Sequence, residues 1–281
     1  MPRIATGWRL AKASWAVLKA DSSLALFLVF AIAAAAIACE VIIMVGVAIA
    51  SSVHVPWVAV PFILAGIFAA AYYVVYFKVA LAGAARLSMD GRDTTVRDGL
   101  AVARQRRGVI ARWALLEVGL GLLLGTIGAL LGGGRDGGGS GVAGNLLGVV
   151  AGAAWSLASF FVIPLLALEG LRPRAALRRS VDLVGEHWGE AISGRTGIGT
   201  VVFLVAVVPL AALFVGADQL RHVSSGAQTA GSLTAAFALL ATIAFSSLLG
   251  VIFRVELYRY ATEGTLTGNF QQADVDAAFR R

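Results

Sequence analysis

Three charged side chains stand where the sequence is otherwise apolar: Glu40, Lys78 and Glu117. An ionised group in hydrocarbon is costly unless it is paired, protonated or hydrated, so such residues are the first candidates for chemistry. Lys78 lies about two helical turns before the end of its run and Glu117 about two turns after the start of the next, so both stand at similar depth from the same side of the membrane, and the spacing predicts an ion pair between them. That pair reads either as a structural clamp or as part of a polar path. Glu40 has no basic residue at matching depth. It is expected to be protonated or to face a wet cavity, which makes it the leading candidate for a proton or cation role. Ser156, Ser159, Thr242, Ser246 and Ser247 could line the same path.

Other chemistry finds little support. His54 and His222 fall on one side of the apolar runs and His187 on the other, so they cannot converge on a metal. The single cysteine, Cys39, excludes an intrachain disulfide. There is no GxSxG, HExxH or CxxC, and GGGRDGGGSG lacks the Gly-Lys-Ser/Thr ending of a phosphate-cradling loop. No catalytic residue, cofactor or metal is therefore expected, and the chain does not read as an enzyme.

The elements that hold these residues follow from composition. Charged residues make up 14 % of the 281, hydrophobic residues 59 %, and mean hydropathy is +0.84. That is too little polar surface to coat a globule in water. Runs long enough to cross a bilayer cover Leu24–Ala50, Pro56–Ala85, Val109–Leu131, Val142–Leu168, Thr196–Ala217 and Ala230–Tyr260. The sequence thus predicts an all-α polytopic membrane helical bundle of about six transmembrane helices, paired as three hairpins. One membrane domain over 1–262 and a C-terminal tail over 263–281 are expected. A cleaved signal peptide competes for the first run, but that run extends well beyond the usual signal core of about 7–15 residues.

Of the 23 lysines and arginines, only Arg135 and Arg221 lie in the short links within hairpins. The positive-inside rule then places both termini and the long connections in the cytoplasm. The net charge of +7 is spread over these segments and does not form a nucleic-acid patch. Its expected partners are the bilayer and its anionic headgroups, with a homo-oligomer or protein partner also open.

Each hairpin is preceded by a basic amphipathic segment. In the first, over 7–20, Trp8 and Trp15 share one side while Lys12 and Lys19 gather on the other, the pattern of an interfacial helix. In the second, Val96, Leu100 and Ala103 form a stripe beside Arg104, Arg106 and Arg107. In the third, Pro173 suits a first helical turn, Leu177, Val181 and Val184 form the stripe, Arg178 can reach Asp182 four residues on, and Arg178 and Arg179 are candidates for the lipid or partner interface. A threefold repeat of interfacial helix and hairpin explains this, and so does the positive-inside rule alone. Gly144, Gly148 and Gly152 recur every fourth residue, as do Gly121 and Gly125. Such faces admit a close backbone, either within the hairpin or in a second copy. Pro164 predicts a kink, and Arg254, Glu256 and Arg259 are spaced for local pairing.

The segments WRLAKASWAVLKADSSL, RDTTVRDGLAVA, WSLASFFVIPLLAL, EGLRPRAALRRSVDLVGEHWGE and LYRYATEGTLTGNF resemble the uncharacterised bacterial and archaeal membrane proteins grouped as domain of unknown function 6159. More loosely, Glu169 and Gly170 followed by Pro173, Ala176 and Ser180 are similar to a motif in the membrane domain attached to some glycerophosphodiester phosphodiesterases. The close resemblance implies the topology and no activity; the looser one implies no phosphodiesterase, because the catalytic barrel is missing. It does suggest that Glu169 pairs with Arg172 or Arg178 and locks the cytoplasmic helix under the kink.

The functional expectation is a non-enzymatic membrane-organising or interaction protein. Transport of a small solute, ion or lipid through Glu40 and Glu117 is the alternative, and holding an acyl chain between hairpins is a third.

Overall fold

The computed structural model describes residues 23–132, 140–194 and 247–264. The described regular structure is helical throughout: α1 (Ser23–Val53), a tight turn (Pro56–Val58), α2 (Ala59–Met89), α3 (Val96–Gln105), α4 (Arg107–Gly132), α5 (Ser140–Ala158), a single turn (Val162–Pro164), a π-helical turn (Leu165–Glu169) and α6 (Pro173–Gly194). A further helix, α7, covers 247–263. Among the described residues, four helical stretches are long and apolar enough to cross a membrane: Leu26–Val53 (28 residues), Pro56–Met89 (34), Arg107–Gly128 (22) and Val150–Glu169 (20). They match the first four expected runs. Of the last two, 196–217 lies outside the described residues, and 230–260 is described only from 247, where it is helical.

Hydrocarbon offers backbone groups no water, so a spanning segment must bond to itself. Side-chain hydroxyls on these helices follow the same constraint. Thr126 donates to the Leu122 carbonyl at 2.8 Å and Ser159 to the Trp155 carbonyl at 2.7 Å. Ser159, expected to line a polar path, therefore spends its donor inside its own helix.

The chain divides into two compact units, Asp21–His187 and Met1–Ala20 with Trp188–Arg281. In the first, α1 and α2 form a hairpin turned at His54 (φ +57°), with the Val55 N–H donating to the Ala50 carbonyl at 3.1 Å. Close approach between them is made at isolated glycines. A Cβ on Gly66 would lie 2.9 Å from Ile43 Cγ1 and 3.2 Å from the Cys39 carbonyl oxygen, and one on Gly46 would strike Phe62. The four-residue glycine faces of α4 and α5 behave differently. Among the described residues, a Cβ on Gly121, Gly125, Gly148 or Gly152 would meet nothing within 4 Å. The surroundings of Gly144 lie outside the described residues. Trp113 and Trp155 stack at 5.5 Å with their planes 9° apart, and two indoles between the helices hold the backbones apart at that level.

The amphipathic α3 does not lie loose on the membrane surface. Gly99 and Ala103 are buried, and a Cβ on Gly99 would fall 2.6 Å from both the Ala80 carbonyl oxygen and Phe27 Cζ. Val102 meets Gly83 from the same side, where a Cβ would be 2.9 Å from Val102 Cγ2. Small residues on α2, Ala80, Gly83 and Ala84, thus form the floor on which α3 docks. Its first turn is fixed by Asp98, whose Oδ2 accepts the Thr95 N–H at 2.9 Å and the Thr95 hydroxyl at 2.7 Å. In the second unit, α7 buries Val251, Ile252, Val255 and Leu257 along with Glu256, while Arg259 Nε lies 3.7 Å from Glu263 Oε2.

Two outcomes follow. Gly99→Val should cost about 1–3 kcal/mol by overpacking, lowering the melting midpoint in detergent, whereas Gly125→Val should leave it unchanged. The Thr95 hydroxyl, then the Thr95 N–H, hold the Asp98 carboxyl below its ordinary value, which is about 3.9. A lowered folded-state value means that the bond stabilises α3 above that ordinary value and is lost as pH falls through the lowered one. Amide exchange over 96–105, corrected for its intrinsic rate, should accelerate below about pH 4 in the wild type. Asp98→Asn should remove that acid-dependent step.

Candidate functional site

The described polar machinery gathers at one end of the first unit, around the junctions from α3 to α4 and from the fourth spanning stretch to α6. The fourth stretch is broken at residues 159–161, where the helix gives way to a turn. Such a break frees backbone donors in the place where they are hardest to satisfy. Ser180 supplies the remedy. Its hydroxyl oxygen, fully buried on α6, accepts the Phe161 N–H at 3.0 Å. The chain resumes through Pro164 into the π-helical turn, which closes when the Gly170 N–H donates to the Leu165 carbonyl at 2.9 Å. The expected kink is therefore present, but it begins a few residues before the proline.

Gly170 ends this turn in the left-handed region (φ +66°), where a side chain would be strained. The place of its missing Cβ is taken by the guanidinium of Arg106. Arg106 stands between α3 and α4: its N–H donates to the Val102 and Ala103 carbonyls, and its carbonyl accepts from the Val109 and Ile110 N–H groups. The backbone is thus satisfied through the corner. Its side chain is half-buried, and Nε has no hydrogen-bond partner. The sequence grouped Arg106 with Arg104 and Arg107 beside the apolar stripe. The structure separates them, for Arg104 and Arg107 are exposed and Arg106 turns inward.

Helix α6 begins at Pro173, as its spacing implied, but its buried face is shifted from the expected stripe. Pro173, Ala176, Ser180 and Leu183 face inward, Leu177 and Val184 are half-buried, and Val181 is 48 % exposed. A serine in the middle of the face disguised it. Arg178 and Arg179 are exposed, as is Glu169. The lock between α6 and the broken span is made through Ser180, which the motif contained without declaring its role.

Of the intramembrane charges, Lys78 and Glu117 are half-buried on α2 and α4, two helices that pack together, and both are engaged in polar interactions. Glu40 is exposed on α1 and is not enclosed by the described helices. Trp8, Lys12, Trp15 and Lys19 lie outside the described residues. Among the described residues, no group of three or more His, Cys, Asp and Glu is arranged to hold a metal.

Apolar helices of bilayer length, tied at one end by a polar corner, define the class as an α-helical membrane protein. Residues 55–269 match the model of a family of unknown function, DUF6159, and the chain belongs to that family. No curated protein and no solved structure matches. Nothing in these comparisons supports the looser likeness to the glycerophosphodiester-associated membrane domain.

The Ser180 lock can be tested directly. Ser180→Ala leaves the Phe161 N–H without its acceptor and should cost about 1–3 kcal/mol, read as a lowered melting midpoint and faster exchange of the Phe161 amide. Arg179→Ala, on the exposed side of the same helix, should change neither.

Proposed function

We propose that this chain is a non-enzymatic membrane-organising or interaction protein whose basic helices α3 and α6 present a cytoplasmic platform to anionic lipid headgroups. The observation that carries this reading is the division of labour on those helices. Gly99 and Ala103 on one helix and Pro173, Ala176 and Leu183 on the other are buried in docking, and Arg97, Arg104, Arg107, Arg174, Arg178 and Arg179 are left exposed. Held rigidly, such arginines lose less freedom on meeting a headgroup than they would on a loose loop.

The reading keeps six spans with both termini on the cytoplasmic side, which rests on the placement of lysine and arginine, and a prokaryotic cytoplasmic membrane, which rests on the family resemblance. It leaves room for a homo-oligomer or a protein partner on the same platform. Transport through Glu40 is the weaker alternative, since Glu40 is exposed on α1.

In bilayers of mixed composition, spin-labelled phosphatidylglycerol should be preferred over phosphatidylcholine at the protein's lipid boundary, and salt should weaken that preference. Replacing Arg104, Arg107, Arg178 and Arg179 together with glutamine should bring the ratio close to unity. An unchanged ratio in that variant would refute the platform.

A further inference from the structure

We propose that Arg106, seated over Gly170, forms a discrete site for the phosphate of one anionic glycerophospholipid. The inference deepens the platform reading and shares its orientation, but it concerns a residue that the platform does not use.

The first ground is an imbalance of charge. A guanidinium has five N–H donors and no acceptor, and withdrawing it from water is costly unless an anion compensates. Arg106 is withdrawn by its contact with Gly170, and its buried Nε donates to nothing. The neighbouring charges are two arginines and one carboxylate: Arg107 follows Arg106 in the chain, Arg172 lies two residues beyond Gly170, and Glu169 directly precedes it, all three exposed. Glu169 is engaged in another polar interaction, and the balance is positive. The Gly170 N–H is committed to the Leu165 carbonyl, so the site's donors come from guanidinium groups. A phosphate, with several acceptor oxygens in a geometry that matches the guanidinium fork, is the anion such an arrangement fits best.

The second ground is depth. The third apolar stretch begins at Arg107 and the fourth ends at Glu169, so Arg106 and Gly170 each stand one residue outside a span. In a bilayer that is the headgroup level, where lipid phosphates are concentrated. Glycine at 170 is then required twice, for the left-handed backbone and for the space that the guanidinium occupies.

The test uses the full chain, delipidated in mild detergent and examined by native mass spectrometry with phosphatidylglycerol, phosphatidylcholine or inorganic phosphate added. The wild type should retain one phosphatidylglycerol in preference to phosphatidylcholine. Arg106→Gln should lower that occupancy about tenfold, while Arg178→Gln with Arg179→Gln leaves it intact. Millimolar inorganic phosphate should not displace the lipid. Absence of a preference in the wild type, or equal loss in both variants, would overturn the proposal. Displacement by inorganic phosphate would show a free-phosphate site and overturn the lipid assignment. Should Arg106→Gln not fold, Arg106→Lys keeps the charge and loses the fork; it should hold less lipid than the wild type, and equal retention would again overturn the site. An unchanged boundary ratio in the platform variant, with this adduct still lost in Arg106→Gln, would refute only the platform; loss of that ratio in the platform variant, with no adduct preference in the wild type, would refute only this site.

Discussion

A backbone N–H freed inside a bilayer must find an acceptor within the protein, and one end of the helices over 23–187 is organised around one such group. The break in the fourth span releases the Phe161 N–H, which donates to a hydroxyl from a different helix. That requirement fixes where α6 sits, because Ser180 has to be delivered to Phe161. With α6 placed, Pro173 and Gly170 have to reverse the chain in a few residues, which calls for the π-helical turn and the left-handed glycine. The vacant side of that glycine then admits Arg106, and through Arg106 the corner between α3 and α4 is drawn into the same cluster. One unsatisfied donor thereby ties together three connections that are distant in sequence.

The opposite side of the α3–α4 corner is held by shape. Ala80, Gly83 and Ala84 on α2 are small enough for Gly99 and Val102 to approach closely, so α3 is seated on protein and its arginines point away. Docking by small residues and docking by a hydrogen bond are different solutions to one problem, that of fixing a polar helix against an apolar bundle. Both leave the charged faces free.

Much of this was legible in the sequence. The first four spans, the helix at 96–105 and the start of α6 at Pro173 follow from hydropathy, periodicity and the chemistry of proline, all of which are local. What could not be read depends on the relation between helices. Gly121 and Gly125 have the spacing of a packing face, yet spacing does not say what stands opposite, and here nothing described does. Gly46 and Gly66 make the close contacts without any repeat to announce them. Arg106 looked like one more basic residue between Arg104 and Arg107, because the corner that turns it inward is a property of the junction. Ser180 carries no hydropathy signal at all, and only the break at residues 159–161 gives it a purpose.

The length of the first hairpin has a mechanical meaning. At 1.5 Å per residue, its 28 and 34 residues extend to about 42 and 51 Å, well beyond the roughly 30 Å of a hydrocarbon core. Such a hairpin has to lean, protrude or thicken the leaflet around it. Its energy then depends on which lipids border it, and the protein is biased towards regions whose thickness suits that length.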